Sequence, residues 1–487
     1  MIARDRTAIR RNDHSRPIRA ALSDGIVSKE TSVLDYGCGH GDDIRHLEQA
    51  GIRAFGWDPA HRPEGQRNGA DVVNLGYVVN VVDDPRERED VLKSAWDFAH
   101  GVLIVTARLK SESDIEGFGE FQDGYVTRLR TFQKFYEQQE LREWIESTLG
   151  EAPIAAAPGV FYVFRDPNKR EQFIASRYRR RIASPRVRLS DTLFEDNQHL
   201  LQDLIGFVTD RGRLPELNEI ASGHDLTGVF GSLRRAFRVV RRVTSSEQWE
   251  LIEKERQTDL LVYLALGRFP KRLKSSILPK AIQLDIRAFF ATYKRACETA
   301  DALLFRTGHP EEINKSCVES SFGKLMPTAL YAHVSGLSRL PALLRVFEGC
   351  ARVLSGQIEG TTIVKLRRHE AKVSYLCYPD FDSDSHPALQ LSVRVDLRSL
   401  HLKYRDFHDS QDPPILHRKE LFVPVDYPER SSFAALTSAE EAAGLFCAPE
   451  QIGTRERWHG LLKERGLSVR DHTLRSSGEE AEIGKSV

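Results

Sequence analysis

The sequence predicts an α/β domain, then an α-helical region, then a smaller mixed α+β domain. Three observations favour this order. Short apolar, β-branched runs alternate with helical patterns over residues 1–165. Amphipathic helical periodicity takes over in residues 190–350, and strand-like, Pro-rich patterns fill 358–425. Because 487 residues exceed what one hydrophobic core organises, several domains are expected.

The alternation in the first domain predicts a Rossmann-like parallel sheet. SVLDY (32–36) ends at a glycine cluster and precedes the helical DDIRHLEQAG, and IRAFGWDP forms a second strand ending in Asp58. ADVVNLGYVVNVV and GVLIVTARL are two further apolar runs typical of buried parallel strands. Strands alternating with helices at this spacing indicate βαβ units.

The remaining chain and its composition predict a soluble cytoplasmic protein. No apolar run approaches the roughly 18–20 residues that span a membrane. The six cysteines are scattered without a C-x-x-C pair, which argues against a disulfide framework and a zinc site. We expect a Rossmann-like domain over 1–165, a basic linker over 166–189, a helical domain over 190–350, a mixed β/α domain over 351–475 and a disordered tail over 476–487.

The glycine cluster predicts a site for S-adenosylmethionine. Gly37, Gly39 and Gly41 directly follow the first strand, where glycines let the backbone approach a ligand. Dinucleotide enzymes use similar glycines. Asp35, however, stands where class I methyltransferases place a carboxylate near the methionine portion, and Asp58 stands where a carboxylate can accept ribose hydroxyls. The alternative is a tight strand–helix turn with incidental acids.

The interval after Asp58 departs from the usual pattern. Only twelve residues separate Asp58 from Asp71, too few for the helix–strand–helix that supplies the adenine pocket. Either that strand is missing or the pocket is assembled from elsewhere. A degenerate, non-catalytic domain is therefore the rival interpretation.

The third strand ends in Asn74-Leu75-Gly76-Tyr77, which suggests catalytic residues. Amino-group methyltransferases acting on DNA bases carry Asn/Asp/Ser-Pro-Pro-Tyr/Phe at this point. A polar side chain there accepts hydrogen bonds from the exocyclic amine, while the ring stacks on the flipped base. Asn74 and Tyr77 match the outer positions, whereas Leu75 and Gly76 do not match the prolines. Strands also end Asn-x-Gly for turn reasons alone.

An excess of basic residues predicts contact with a nucleic-acid backbone. Between Arg165 and Arg295 there are 26 lysines and arginines against 16 acidic residues. Such clustering is typical of phosphate-backbone binders, although solvated helix faces and a solvated linker are the alternative. The clusters are a linker holding Arg177, Arg179, Arg180, Arg181, Arg186 and Arg188, and one helix face holding Arg234, Arg235, Arg238, Arg241 and Arg242.

The segment Tyr378–Pro387 gathers three alternate acids and a histidine. Oxygen-ligand metals use such acid spacing, but the glycine and terminal glutamate of a calcium loop are absent. An acidic surface turn is the favoured interpretation, and we predict no metal site. A metal-dependent nuclease using Asp380 is the weaker alternative.

Several long segments carry a family resemblance: RTAIRRNDHSRP, VLDYGCGHGDDIRHL, GWDPAHRP, ADVVNLGYVVNVVDDPRER, VSYLCYPDFDSDSHPAL and PPILHRKE. With these segments the chain resembles the bacterial DNA phosphorothioation-associated methyltransferases. The resemblance extends over nearly the whole chain. It implies an S-adenosylmethionine-dependent domain, DNA as a partner and association with phosphorothioation or restriction proteins. The family glycines and acids correspond to Asp35, Gly37, Gly39, Gly41 and Asp58. The methyl acceptor does not follow from the resemblance.

Overall fold

The computed structural model describes residues 7–476 except 9, 114, 116, 181, 186–191, 270 and 448–451. Arg181, Arg186 and Arg188 of the predicted linker, and the predicted tail from residue 477, lie outside the described residues. The chain divides into two compact units. The first comprises Met1–Asp166, Pro310–Leu337 and Glu348–Val487, and the second Pro167–His309 and Ser338–Phe347.

The first unit is built on a six-stranded sheet with the order β2-β1-β3-β4-β9-β8. Neighbours from β2 to β4 pair in parallel, whereas β9 is antiparallel to both of its neighbours, β4 and β8. The predicted Rossmann-like α/β fold is therefore confirmed. The strands are β1 (Ser32–Tyr36), β2 (Arg53–Trp57), β3 (Ala70–Gly76), β4 (Ala99–Thr106), β5 (Gly119–Phe121), β6 (Gly124–Val126), β7 (Phe132–Gln133), β8 (Ile154–Ala157) and β9 (Val160–Phe164).

Apolar side chains from the central strands form the core of this sheet. Leu34, Val73, Leu103 and Phe161 are completely buried. Burying each such side chain contributes about 1.5–3 kcal/mol, which explains why these strands are predominantly apolar. Pro85 begins a helix, as predicted, behind the N-cap Asp84. The helices of this region are α1 (Arg16–Ser23), α2 (Asp42–Gln49), α3 (Pro85–Phe98) and α4 (Gln138–Leu149).

β2 lies at one edge of the sheet. Residues 58–69, all of which the structure describes, form turns and one isolated bridge between Asp58 and Arg62. The helix–strand–helix that the short interval could not accommodate is missing from this segment. The guanidinium carbon of Arg67 instead lies 4.4 Å from the centre of the Trp57 ring at the end of β2.

The C-terminal part of the first unit carries a second sheet, antiparallel, with the order β10-β11-β12-β13-β14-β15. Its core includes Ile363, Phe381 and Phe433. A smaller cluster packs around Trp458. The elements are α13 (Pro310–Val318), β10 (Lys324–Leu325), β11 (Ala329–His333), β12 (Thr361–Arg367), β13 (Lys372–Cys377), β14 (Leu391–Asp396), β15 (His401–Asp406), α15 (Arg430–Ala442), α16 (Arg455–Glu464), β16 (Leu467–Arg470) and β17 (Thr473–Ser476).

Among the described residues of the second unit, all regular secondary structure is helical. Leu204, Val240 and Trp249 belong to its core. No helix among the described residues combines the length and apolarity needed to cross a membrane. The helices are α5 (Pro167–Arg177), α6 (Thr192–Asp196), α7 (Gln198–Arg211), α8 (Gly223–Phe230), α9 (Leu233–Val243), α10 (Ser246–Leu266), α11 (Lys280–Phe290) and α12 (Tyr293–Arg306), and α14 (Ala342–Ser355) follows later in the chain. Short 3-10 turns occupy Lys110–Glu112, Leu217–Glu219, Ser275–Ile277, Val334–Arg339 and Lys419–Leu421.

Candidate functional site

The loop between β1 and α2 depends on glycine for its shape. Gly37, Gly39 and Gly41 all have positive φ angles, of 86°, 51° and 78°. A Cβ atom on Gly37 would also lie 2.4 Å from Cγ2 of Val78, well inside van der Waals contact. The loop therefore needs glycine both for its left-handed backbone and for space.

A carboxylate and an amide form a buried pair directly beneath this loop. Asp35 and Asn74 are register partners on β1 and β3, and Asn74 Nδ2 donates to Asp35 Oδ1 at 2.8 Å. Asp35 is 5% exposed. Burial, reinforced by the nearby Asp43 carboxylate, raises the pKa of Asp35 to about 7, although the hydrogen bond from Asn74 and the charge of Arg11 oppose the rise. A cationic ligand group would remove this electrostatic cost.

Several polar atoms near the carboxyl ends of the strands are buried without a hydrogen-bond partner. They are Asn74 Oδ1 near the end of β3, Thr106 Oγ1 at the end of β4, and Asn80 Oδ1 in the loop after β3. Each unsatisfied buried polar group costs about 1–3 kcal/mol, so such a cluster calls for an explanation such as a ligand. We did not predict Thr106, although its position as the last residue of an apolar strand was a usable signal.

Asp58 connects the end of β2 to the glycine loop. Its Oδ2 accepts from the backbone N–H of Gly39 at 3.0 Å. Its Oδ1 accepts from the N–H groups of Ala60 and His61 at 2.9 and 2.8 Å. Because Oδ1 already holds two donors, the remaining acceptor capacity for a sugar hydroxyl is on Oδ2. Ribose binding by Asp58 stays a prediction.

Tyr77 follows β3 in a conformation that is rare for a residue with a side chain. Its φ is 62°, and its N–H donates to the carbonyl oxygen of Thr106 at 3.0 Å. The guanidinium carbon of Arg11 lies 5.6 Å from the ring centre. Burial raises the pKa of the Tyr77 hydroxyl. A left-handed non-glycine residue costs about 1–3 kcal/mol and is found disproportionately at functional sites.

A segment preceding α1 covers the glycine loop, which we did not predict. The backbone N–H groups of Arg11 and Ser15 donate to the Asp42 and Asp43 carboxylates at the start of α2, both at 2.7 Å. A Cβ atom on Gly39 would lie 3.1 Å from Cβ of Ala8. The predicted cofactor-binding residues thus lie together with Asn74 and Tyr77 at the carboxyl ends of the strands, beneath this segment. The roles of all these residues stay predictions.

In the second unit, α9 presents an arginine face. Its apolar residues, including Ala236 and Val240, are buried in the core. Arg241 is half-buried and pairs with Glu250 at 3.2 Å. The exposed arginines of this face are Arg234, Arg235, Arg238 and Arg242.

Many other arginines of the basic region have structural partners. Arg213 contacts both Glu219 and Asp285 at 2.7 Å, and Arg211 contacts Asp285 at 2.6 Å. In the predicted linker, Arg180 pairs with Glu255 at 2.6 Å. These cations are paired with acidic partners within the second unit, whereas Arg234, Arg235 and Arg238 of α9 are exposed.

The acidic segment Tyr378–Pro387 forms a turn, and Asp380 and Asp382 are exposed. Asp382 Oδ1 accepts from the Tyr427 hydroxyl at 2.7 Å, and Asp384 Oδ1 accepts from the His386 N–H at 3.0 Å. Among the described residues, two clusters bring possible metal-ligand atoms close together. Neither cluster includes these aspartates.

Comparison with known proteins gave matches among solved structures only. No family model matches the chain, and no curated protein matches it. Magnesium protoporphyrin IX methyltransferase from Synechocystis PCC 6803 is 16% identical over 31% of this chain and 80% of its own, with a TM-score of 0.23. The 1,6-didemethyltoxoflavin-N1-methyltransferase of Burkholderia thailandensis is 15% identical over 31% and 79%, also at 0.23. Likenesses with identities and TM-scores this low carry no information on activity or substrate.

Asp35→Asn should change the pH dependence of stability. The variant keeps the acceptor for Asn74 but lacks a carboxyl group whose pKa rises from 3.8 to about 7 on folding. Because the folded chain holds this proton more tightly, wild-type stability falls as the pH rises from about 4 to about 7. The variant should therefore exceed wild type in free energy of unfolding by on the order of 4 kcal/mol at pH 8, and approach it near pH 4. Urea unfolding at both pH values measures this, and an equal difference at both would contradict the assignment.

Proposed function

We propose that this protein is an S-adenosylmethionine-dependent methyltransferase that acts on DNA, with an amino group of a base as the acceptor. The observation that carries the proposal is the buried Asp35–Asn74 pair beneath a loop whose three glycines have left-handed backbones. A ligand with only a neutral nucleotide end would not offset the free-energy cost of the buried Asp35 carboxylate. A ligand with a positively charged end would offset it.

Different residues at the carboxyl ends of the strands would bind different portions of the cofactor. Bound there, the cofactor supplies a methyl group on a positively charged sulfur. Asp35 would face the charged methionine end, and the backbone at Gly37, Gly39 and Gly41, which carries no side chains, would let the ligand approach closely. Asp58 would use its free Oδ2 capacity for a ribose hydroxyl. Arg11, whose charge opposes the pKa rise of Asp35, would pair with the methionine carboxylate.

Asn74 and Tyr77 are the residues we propose for the acceptor. Asn74 Oδ1 has no hydrogen-bond partner and would accept from an exocyclic amine. The Tyr77 ring, placed by its strained backbone at the end of β3, would stack on the base. Methyl transfer from an activated donor requires mainly positioning, which these two residues would provide.

The α9 arginines are our proposed contact for the DNA backbone. Spacing of three and four residues places Arg234, Arg238 and Arg242 along one helix face. Phosphate contacts of this kind supply affinity without sequence preference. The resemblance to phosphorothioation-associated proteins leads us to propose further that the target DNA belongs to such a modification system.

The second candidate function is a non-catalytic DNA-binding or regulatory module of the same system. Two observations favour it: β2 is at the sheet edge where the usual adenine pocket would need another strand, and the Asp58 carboxylate already accepts three backbone N–H groups. Under this alternative the fold binds cofactor weakly, or only as a sensor.

Affinity for S-adenosylmethionine should increase with pH. The charged end of the cofactor favours ionised Asp35, so binding below the carboxyl pKa of about 7 requires loss of a proton. Calorimetric titration of wild type should show affinity roughly ten-fold lower at pH 6 than at pH 7.5. Asp35→Asn should bind weakly without this pH dependence, whereas the exposed-turn variant Asp380→Asn should match wild type. Equal binding by D35N and wild type would refute the role of Asp35.

Transfer to DNA should depend on the ring of Tyr77 more than on its hydroxyl. Base stacking is worth about 1–3 kcal/mol, so Tyr77→Ala should lower transfer by about ten- to a hundred-fold, and Tyr77→Phe should retain most of it. The measurement is tritium transfer from labelled cofactor to DNA with and without phosphorothioates, followed by nucleoside analysis. Cofactor binding with no label in any DNA would favour the non-catalytic alternative.

Neutralising the α9 face should weaken DNA binding and its salt dependence together. Each phosphate contact contributes about 0.9 to the slope of log K against log salt, so Arg234→Gln with Arg238→Gln should reduce that slope by roughly two. The double variant R268Q/K280Q removes the same charge from exposed positions elsewhere in the second unit. It should bind like wild type in fluorescence anisotropy titrations, and an equal effect of both double variants would exclude a specific α9 interface.

A further inference from the structure

Two histidines and an aspartate converge beside the glycine loop. Asp43 and His46 lie on α2 with three-residue spacing, and His14 comes from the segment before α1. One ligand atom from each lies within 4.8 Å of the other two. The two imidazole rings are edge to face, with centres 5.4 Å apart. The three side chains therefore come from two chain segments that only the fold brings together.

The nitrogen atoms of this cluster lack the partners that burial demands. Nδ1 of His14 and Nδ1 of His46 are both buried without a hydrogen-bond partner. Asp43 is 6% exposed, and its Oδ1 already accepts from the Ser15 N–H. Two unsatisfied buried nitrogens cost several kcal/mol at about 1–3 kcal/mol for each group.

A divalent cation would satisfy all three groups at once. Each neutral imidazole carries a ring proton of its own, but neither Nδ1 atom has a hydrogen-bond partner here. A transition-metal ion accepts a lone pair from both imidazoles and from the carboxylate at once. Two histidines and a carboxylate are a ligand set that zinc uses, with a fourth position left to water.

We propose that His14, Asp43 and His46 bind a zinc-type divalent transition-metal ion. Through His14 on one side and Asp43 and His46 on the other, the ion would link the segment before α1 to α2. That segment carries Ala8 over Gly39 and Arg11 over the Tyr77 ring. Metal binding would thereby hold the cover of the candidate cofactor site in place. The binding itself does not require the proposed methyltransferase function. We predicted no metal site from the sequence, because the signal is not in the cysteines or the acidic turn but in residues far apart along the chain.

A second convergent set, His386, His417 and Glu440, does not support the same inference. The Trp458 indole N–H, which can only donate, lies 3.2 Å from Nδ1 of His386. Nδ1 is thus the acceptor and the ring proton is on Nε2, which lies 2.7 Å from Oε1 of Glu440. A protonated nitrogen cannot ligate a metal, so the hydrogen-bond arrangement of His386 disfavours a metal at this set.

Zinc titration of the full chain tests the proposal. After chelator treatment, competition with a chromophoric chelator should show one tight zinc ion per chain and no comparable affinity for magnesium. His14→Ala and His46→Ala should each weaken binding by at least about a hundred-fold, since even outer-shell changes typically cost ten- to a hundred-fold. His14→Ala changes only the segment before α1, and circular dichroism of the metal-free variants would verify that they are folded.

The control variants separate this site from the alternatives. His61→Ala alters another pair of neighbouring imidazoles, His40 and His61, and His417→Ala alters the second convergent set. Both should retain the zinc ion. Loss of zinc in H417A with retention in H14A, or equal affinity in all variants and wild type, would overturn the proposal. Zinc binding that survives while no S-adenosylmethionine binds would leave the metal site intact and refute only the proposed function.

Discussion

Asp35 lies near the carboxyl end of β1, almost fully buried, with one amide hydrogen bond from Asn74. Several features of the surrounding geometry bear on this carboxyl group. The glycine loop follows it directly, with no room for a side chain between Gly37 and Val78, and the charge of Arg11 acts on it from the segment before α1. A buried acid without a full cation partner is stable only as the neutral form or beside a positively charged ligand. The site is therefore electrostatically prepared for a cationic group.

Uncharged polar groups at the carboxyl ends of the strands also lack hydrogen-bond partners. Asn74, Asn80 and Thr106 each leave an oxygen without a partner at the carboxyl ends of β3 and β4 or just beyond them. Ligands of open α/β sheets bind outside those strand ends because the loops there carry exposed backbone and few packing constraints. The backbone strain at Tyr77 lies in the same place. Unsatisfied acceptors and strain together distinguish this edge from an ordinary strand–helix turn.

In the second unit, charge has two different uses. Arginines such as Arg211 and Arg213 are buried against Asp285, where removing either partner would leave an uncompensated ion. Arg234, Arg235 and Arg238 instead lie exposed on α9, a helix whose apolar face is buried. Exposed charges of this kind can exchange counterions for a polyanion, whereas buried ion pairs cannot. A count of basic residues cannot separate the two groups, because both contribute equally to net charge.

Local sequence determined the α/β class, the strands of the parallel sheet, the glycine loop and the missing strand after Asp58. These follow from periodicity and spacing over a few residues. Tertiary structure alone decided that Asn74 pairs with Asp35, that Asp58 holds the glycine loop, and that His14 meets His46. Each of these contacts joins residues 19 to 39 positions apart or lying on separate segments, so it depends on strand order and packing. Those are fixed by burial of the whole core, which no local pattern specifies.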